Sequence, residues 1–177
     1  MSIKKSVSEI LKEVDKTETV IGKVAVLKHN ESEPFKMLLR LAYDPAIKWL
    51  LPPGAPPYKS TDAANDVQGR LWTEIRRFYL FVEGGNPPPP SMPPLKRESL
   101  FIQLLESIDP DDARLLVAIK DKDLTSIYKS ITPKIINQAF PWLVYETPDV
   151  VIKKDTRKSK KTEPTFLGSL DKAKKEA

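Results

Sequence analysis

His29 is the only histidine in the chain, and it stands beside Asn30 and Glu31 at an expected helix end. Zinc chemistry or general acid–base work needs a second ligand or an orienting carboxylate at ligand spacing, and none accompanies it. A surface or capping histidine is the simpler reading. The dense carboxylates are Asp109, Asp111 and Asp112, followed by Asp121 and Asp123. A magnesium ion takes oxygen ligands of this kind, but helix capping accounts for the first three and a solvated turn for the other two. Six glycines are scattered through the chain, and none forms the GxxxxGK, GxGxxG or GxSxG patterns that cradle phosphates or present a nucleophile. The expectation is a protein that is not an enzyme, with no catalytic residue, no cofactor and no metal.

The strongest charge signal lies at the end of the chain. Residues 153–177 hold nine Lys and Arg against four Asp and Glu, which leaves 20 of each sign in residues 1–152. The whole net charge of +5 therefore belongs to the tail. Lys153, Lys154, Arg157, Lys158, Lys160 and Lys161 can neutralise phosphates with a steep dependence on salt. No aromatic residue is interleaved among them for base stacking, so any nucleic-acid binding they provide is nonspecific. Solubility alone is an equal account of such a tail. Disorder is its default reading, with PTFLGSLDKAKKEA as a weak terminal helix.

The elements that must position any site are helical. Leu100, Phe101, Leu104, Leu105 and Ile108 recur at three- and four-residue spacing, with Lys96, Arg97, Gln103 and Glu106 pointing away. Asp109 then stands as an N-cap with Pro110 at the first helical position, and Leu115, Leu116, Val117 and Ile119 follow. Leu124, Ile127, Tyr128 and Ile131 continue for about two turns, and Thr132 with Pro133 repeats the cap-and-proline device ahead of Ile135, Ile136, Ala139 and Phe140. The Leu95–Pro141 stretch is thus the expected centre of the fold. Upstream, Val7, Ile10, Leu11 and Val14 predict one helix. Val20, Ile21, Val24, Ala25 and Leu27 predict a second amphipathic one, capped by Thr17 or Thr19. Phe35, Leu38, Leu39, Leu41 and Ala42 predict a third, begun by Ser32 and stopped by Asp44 and Pro45. A helix over Arg70–Val82, ended by Gly84 and Gly85, carries apolar residues round more than half its circumference and should be deeply buried.

Between these helices the chain turns proline-rich. AIKWLLPPGAPPYKS, residues 46–60, offers five residues of helix and then a rigid extended loop. Trp49, Leu50, Leu51 and Tyr58 either plug the edge of the core or form a patch for a partner. Arg70, Arg76 and Arg77 mark the wet side of the following helix, with Glu74 placed to pair with Arg77 or Arg70. GGNPPPPSMPP, residues 84–94, is a stiff spacer or, alternatively, a ligand for a proline-recognising domain. Trp142–Tyr145 and Val150–Ile152 could form a short strand pair across Thr147-Pro148-Asp149.

The chain is long enough for one domain with a real core. It contains no cysteine, which excludes disulfides and thiolate metal sites. MSIKKSVSEILKEVDK lacks a long apolar run and no stretch approaches 18 consecutive apolar residues, so the expectation is a soluble protein without a leader or membrane span. The expected fold is all-α: a compact bundle of about six to eight short helices over residues 1–152, with proline-rich loops and a disordered basic tail over 153–177.

Four phrases carry a family resemblance. IKWLLPPGAPPYK, EIRRFYLFVEGGNP, RESLFIQLLESIDPDDARLLVAIKDKDL and YKSITPKIINQAFPWL together resemble a family of uncharacterised small proteins of tailed bacteriophages, marine myoviruses among them. The resemblance covers roughly residues 35–143 and departs in PPPPSMPP and in the tail. It implies a phage origin and a setting in the host cytoplasm or the virion, and implies no activity. The function expected is a phage accessory protein that binds a phage or host protein through Trp49, Leu50, Leu51 and Tyr58 or through Arg70, Arg76 and Arg77. The alternatives are nonspecific nucleic-acid binding by the tail and a minor virion component.

Overall fold

A computed structural model describes residues 5–60, 69–141 and 143, all within one unit spanning Met1–Thr147. Among these residues there are eight α-helices and two short strands, so the fold is all-α. The basic tail from Lys153 and the expected strand pair around Thr147 lie outside the described residues.

Helix α1 (Val7–Lys16) begins at a capping box. The Ser6 hydroxyl accepts from the Glu9 amide at 3.3 Å, and the Glu9 carboxylate accepts from the Ser6 amide at 2.9 Å. Val7, Ile10, Leu11 and Val14 are buried, as their spacing predicts. Helix α2 (Val20–His29) is capped by Thr19, whose side chain accepts from the Gly22 amide. It departs from expectation in one respect: Leu27 alone is buried. Helix α3 (Glu33–Tyr43) follows the Ser32 cap and ends at Asp44, with Phe35, Leu38, Leu39, Leu41 and Ala42 inward.

The segment expected as helix at residues 46–50 is instead strand β1 (Lys48–Trp49). It pairs antiparallel with β2 (Val82–Glu83), Trp49 opposite Val82. The long helix expected over Arg70–Val82 is likewise corrected. One α-turn, α4 (Leu71–Glu74), passes into a 3-10 helix at Ile75–Leu80. Trp72, Ile75, Phe78 and Phe81 recur every third residue and all are buried. At three residues per turn such side chains line up along one edge, which aligns all four with the core, whereas an α-helix would wind them apart. Gly84 does not cap a helix but follows β2 with φ +88°. A Cβ there would stand 2.5 Å from the Ala46 carbonyl oxygen, so the strand ladder needs glycine at this crossing.

Helix α5 (Pro94–Ser107), α6 (Pro110–Lys120), the single turn α7 (Leu124–Ile127) and α8 (Pro133–Ala139) follow in order. The turn α7 is half the length expected for it. Asp109 caps α6 by accepting from the Asp111 amide at 2.9 Å, with Pro110 at the first helical position. Helix α6 packs against α1, α3, α5 and α7, which makes it the centre of the bundle. An aromatic cluster closes one end. Phe81 meets Phe101 edge-on at 5.4 Å, and Trp49 lies 6.3 Å from both Phe78 and Phe101. Such tilted pairs add roughly 0.5–1.5 kcal/mol beyond the area they bury.

Three basic side chains expected in solvent reach back onto backbone carbonyls, and two of them, Arg97 and Lys120, are buried. Arg97 reaches back to donate to the Leu80 carbonyl at 2.9 Å and to that of Pro90 at 3.4 Å, tying down the proline-rich connection. Lys120 donates to the Pro52 carbonyl at 2.8 Å and to the Asp121 carboxylate, whose same oxygen accepts from the Gly54 amide. Lys122, at φ 58°, donates to the carbonyls of Leu41 and Asp44 and so caps the end of α3. Residues 121–123 form the exposed turn expected of them, and Lys120, Asp121 and Lys122 also clamp two loops.

Candidate functional site

A groove of about 590 Å3 is walled by α3, the α4 and 3-10 segment, and the turn after β2. Its floor is apolar: Leu41, Ile47, Trp72, Ile75 and Val82 are all buried core residues that show one flank to the groove. Helix α3 supplies the lip. Lys36, Met37 and Arg40 follow one another at helical spacing on one side of it, opposite the residues it buries, and Met37 keeps 38% of its surface exposed. The 3-10 helix supplies Arg76 from the far side, since the period of three that buries Ile75 and Phe78 leaves Arg76 facing out.

The charges round the rim are unequal in what they offer. Lys36 is held between Glu31 at 2.5 Å and Glu33 at 3.2 Å, and these hydrogen bonds raise its pKa above the ordinary lysine value. Arg40 uses Nε on the buried Asp44 carboxylate at 2.9 Å while its side chain stays half exposed. Arg76 is exposed and has no ion-pair partner among the described residues. The groove therefore joins an apolar floor to a guanidinium free to take a carboxylate in a bidentate grip. Its described lining contains no histidine, serine, threonine, cysteine or tyrosine, and its one carboxylate, Glu33, already pairs with Lys36. The arrangement suits recognition.

The residues singled out from the sequence are separated by the fold. Trp49 turns inward between Phe78 and Phe101, and its indole nitrogen is buried without a hydrogen-bond partner among the described residues. Leu51 and Tyr58 are half-buried against the core and Leu50 is half-buried beside them. Leu51 and the prolines after it line a separate, smaller recess over Phe101 and Ile102. Arg70 and Arg77 are exposed, and Arg77 pairs with Glu74 at 3.1 Å, one of the two pairings expected. Only Arg76 of the seven lines the groove. Lys36, Met37 and Arg40 escaped notice because they read as the wet side of an ordinary amphipathic helix. Lys153, Lys154, Arg157, Lys158, Lys160 and Lys161 lie outside the described residues.

Elsewhere, His29 lies exposed in the last turn of α2, where a basic side chain complements the helix dipole. Among the described residues no group of three or more His, Cys, Asp or Glu is placed to hold a metal ion, and no helix is long and apolar enough to cross a membrane. Asp111 lies on the surface paired with Lys12 at 2.5 Å, whereas Asp112 is fully buried. Burial pushes the Asp112 carboxyl above the usual carboxylate range, opposed by hydrogen bonds from Ser8. One of its oxygens accepts from the Ser8 amide at 2.8 Å, and the other has no partner among the described residues. Tyr128, pushed up to about 12 by burial, donates to the Ser8 carbonyl. This network ties α1 to α6 and α7, and Tyr128 also lines an open concavity with Lys12, Asp15, Asp111 and Arg114.

A family model described as a family of unknown function (DUF6433) matches residues 10–126, which takes in α2 to α6 and both walls of the groove. No curated protein and no solved structure matches the chain.

Proposed function

We propose that this chain, which belongs to that family of unknown function, acts by binding another protein through the groove between α3 and the 3-10 helix. The observation that carries the reading is the pairing of an apolar floor with the unpartnered Arg76 at its rim. A large apolar side chain of the partner seats on Trp72, Ile75 and Val82, and a neighbouring carboxylate meets Arg76. Anchors of this kind, an aromatic or aliphatic group in a pocket beside a charged arginine, dominate the energetics of protein interfaces. The four phrases shared with small proteins of tailed bacteriophages support a phage accessory role in the host cytoplasm, with a phage or host protein as partner. Nucleic-acid binding by the tail is the second reading, and the concentration of the net charge of +5 in residues 153–177 favours it.

A photo-crosslinking residue at Met37 tests the first reading. In infected cells it should yield an adduct of defined mass that disappears in an Arg76→Glu background, and the same residue at Ile127, on a remote face, should not yield it. Adducts that ignore Arg76→Glu, or that are common to both positions, reject the groove. Gel shifts across a salt series, comparing the full chain with one ending at Ile152, test the second reading: equal binding by both dismisses the tail.

A further inference from the structure

Helix α2 is well capped and well packed on α1 and α8, yet it turns Val20 and Ile21 to solvent. Ile21 is 84% exposed and Val20 48% exposed, the former the most exposed large apolar side chain described. Ile21, Ala25 and Lys28 follow at spacings of four and three, so they form one stripe down the outer face, with the half-buried Val24 beside it. Glu18, exposed and immediately before the Thr19 cap, adds a carboxylate at the N-terminal end of the helix. Neither Glu18 nor Lys28 has a partner among the described residues.

The stripe is an acid, a large apolar side chain, a small one and a base, in that order. We propose that it is a self-association surface on which a second copy of this chain lays its own α2 antiparallel about a two-fold axis. Turning one copy end for end sets Ile21 into the space over the partner's Ala25 and Glu18 against the partner's Lys28. Both pairs are centred on residue 23, so one register satisfies them together and, by symmetry, twice. Lys23 itself does not oppose this. It lies about 200° round the helix from Ile21, and its charge acts on Asp15 of α1. A partner bearing one sign of charge would be repelled at one end of the stripe, and a phosphate backbone would meet Glu18. A second copy matches both ends at once. This surface is distinct from the groove, so it stands whether or not the groove binds a protein.

One face of a ten-residue helix is smaller than a standard stable interface of roughly 1,200–2,000 Å2. The association is therefore a reversible monomer–dimer equilibrium. Sedimentation of the full chain over a concentration series should show the mass rising toward twice that of the chain. Ile21→Glu should weaken association by about tenfold or more while leaving the thermal midpoint in place, because the side chain is already in solvent. At low ionic strength, Glu18→Lys or Lys28→Glu alone should each weaken it about fivefold, and the two together should restore it. A chain that stays monomeric at every concentration overturns the proposal. So does a dimer indifferent to Ile21→Glu, or one in which the double charge exchange restores nothing. If Ile21→Glu leaves the Met37 crosslink intact, the two surfaces act separately.

Discussion

Asp112 is a carboxyl whose environment and position disagree. It is fully buried, yet only one of its oxygens has a partner among the described residues, and the carboxylates of Asp109 and Glu9 push against it. Its pKa in the folded chain stands above the 3.8 of an ordinary aspartate. The native state therefore holds this proton more tightly than the unfolded chain does, so the group favours folding most below 3.8 and that contribution is lost as pH rises through the folded value. Asp112→Asn keeps the acceptor for the Ser8 amide and cannot ionise. Denaturant unfolding of the two proteins at neutral and mildly acidic pH should show the wild type gaining relative to the variant on acidification. A difference that does not move with pH contradicts the assignment. Asp15, whose pKa Ser130 lowers, has the opposite slope but is common to both proteins and cancels. Asp112→Ala removes the acceptor and strands the Ser8 amide in the interior, a loss of about 1–3 kcal/mol at any pH.

Elements here are held at their ends by residues from elsewhere in the chain. Helix α3 ends at Asp44, and the carbonyls of Leu41 and Asp44 receive the Lys122 ammonium at 2.6 and 2.9 Å. Lys122→Met keeps the stem and removes the donor, so it should cost about 1–3 kcal/mol in urea unfolding; an unchanged midpoint would show that solvent serves those carbonyls equally well. The two strands offer a sharper comparison. Gly84 and Gly54 share a positive φ, of +88° and +86°, but only Gly84 is crowded, by the Ala46 backbone. Alanine at Gly54 pays for conformation alone, about 1–2 kcal/mol. At Gly84 it must also push β1 away from β2, so Gly84→Ala should be clearly the more destabilising by the same assay. Equal losses would mean that the ladder gives way freely.

For the molecule as a whole, α6 gathers α1, α3, α5 and α7, and the Lys120–Lys122 segment at its end fastens both the proline-rich loop and α3. Among the described surfaces, the groove beside Arg76 and the outer face of α2 each show apolar side chains to solvent. Substituting Arg76 should abolish partner capture without altering stability, since its side chain is exposed and unpaired among the described residues; thermal melts of Arg76→Glu and of the parent should overlay within the roughly ±0.5 kcal/mol usual for surface changes.

Much of this was legible in the chain itself. Ser6, Thr19, Ser32 and Asp109 with the prolines at 34, 110 and 133, together with apolar residues three and four apart, mark helix starts and buried faces. Those signals work because the interactions behind them close within one turn, so neighbouring letters carry the whole of the physics. Only the tertiary structure decided that β1 pairs with β2, that Trp72, Ile75, Phe78 and Phe81 adopt a period of three, that Arg97 and Lys120 go inside, that Lys122 turns back onto the end of α3, and that α2 turns Ile21 outward. Each of those outcomes rests on partners distant in sequence: Trp49 on Val82, Lys122 on Leu41, Lys120 on Pro52. A lysine's stem is apolar and its head is not, so its letter leaves both fates open until a distant carbonyl arrives to receive the charge.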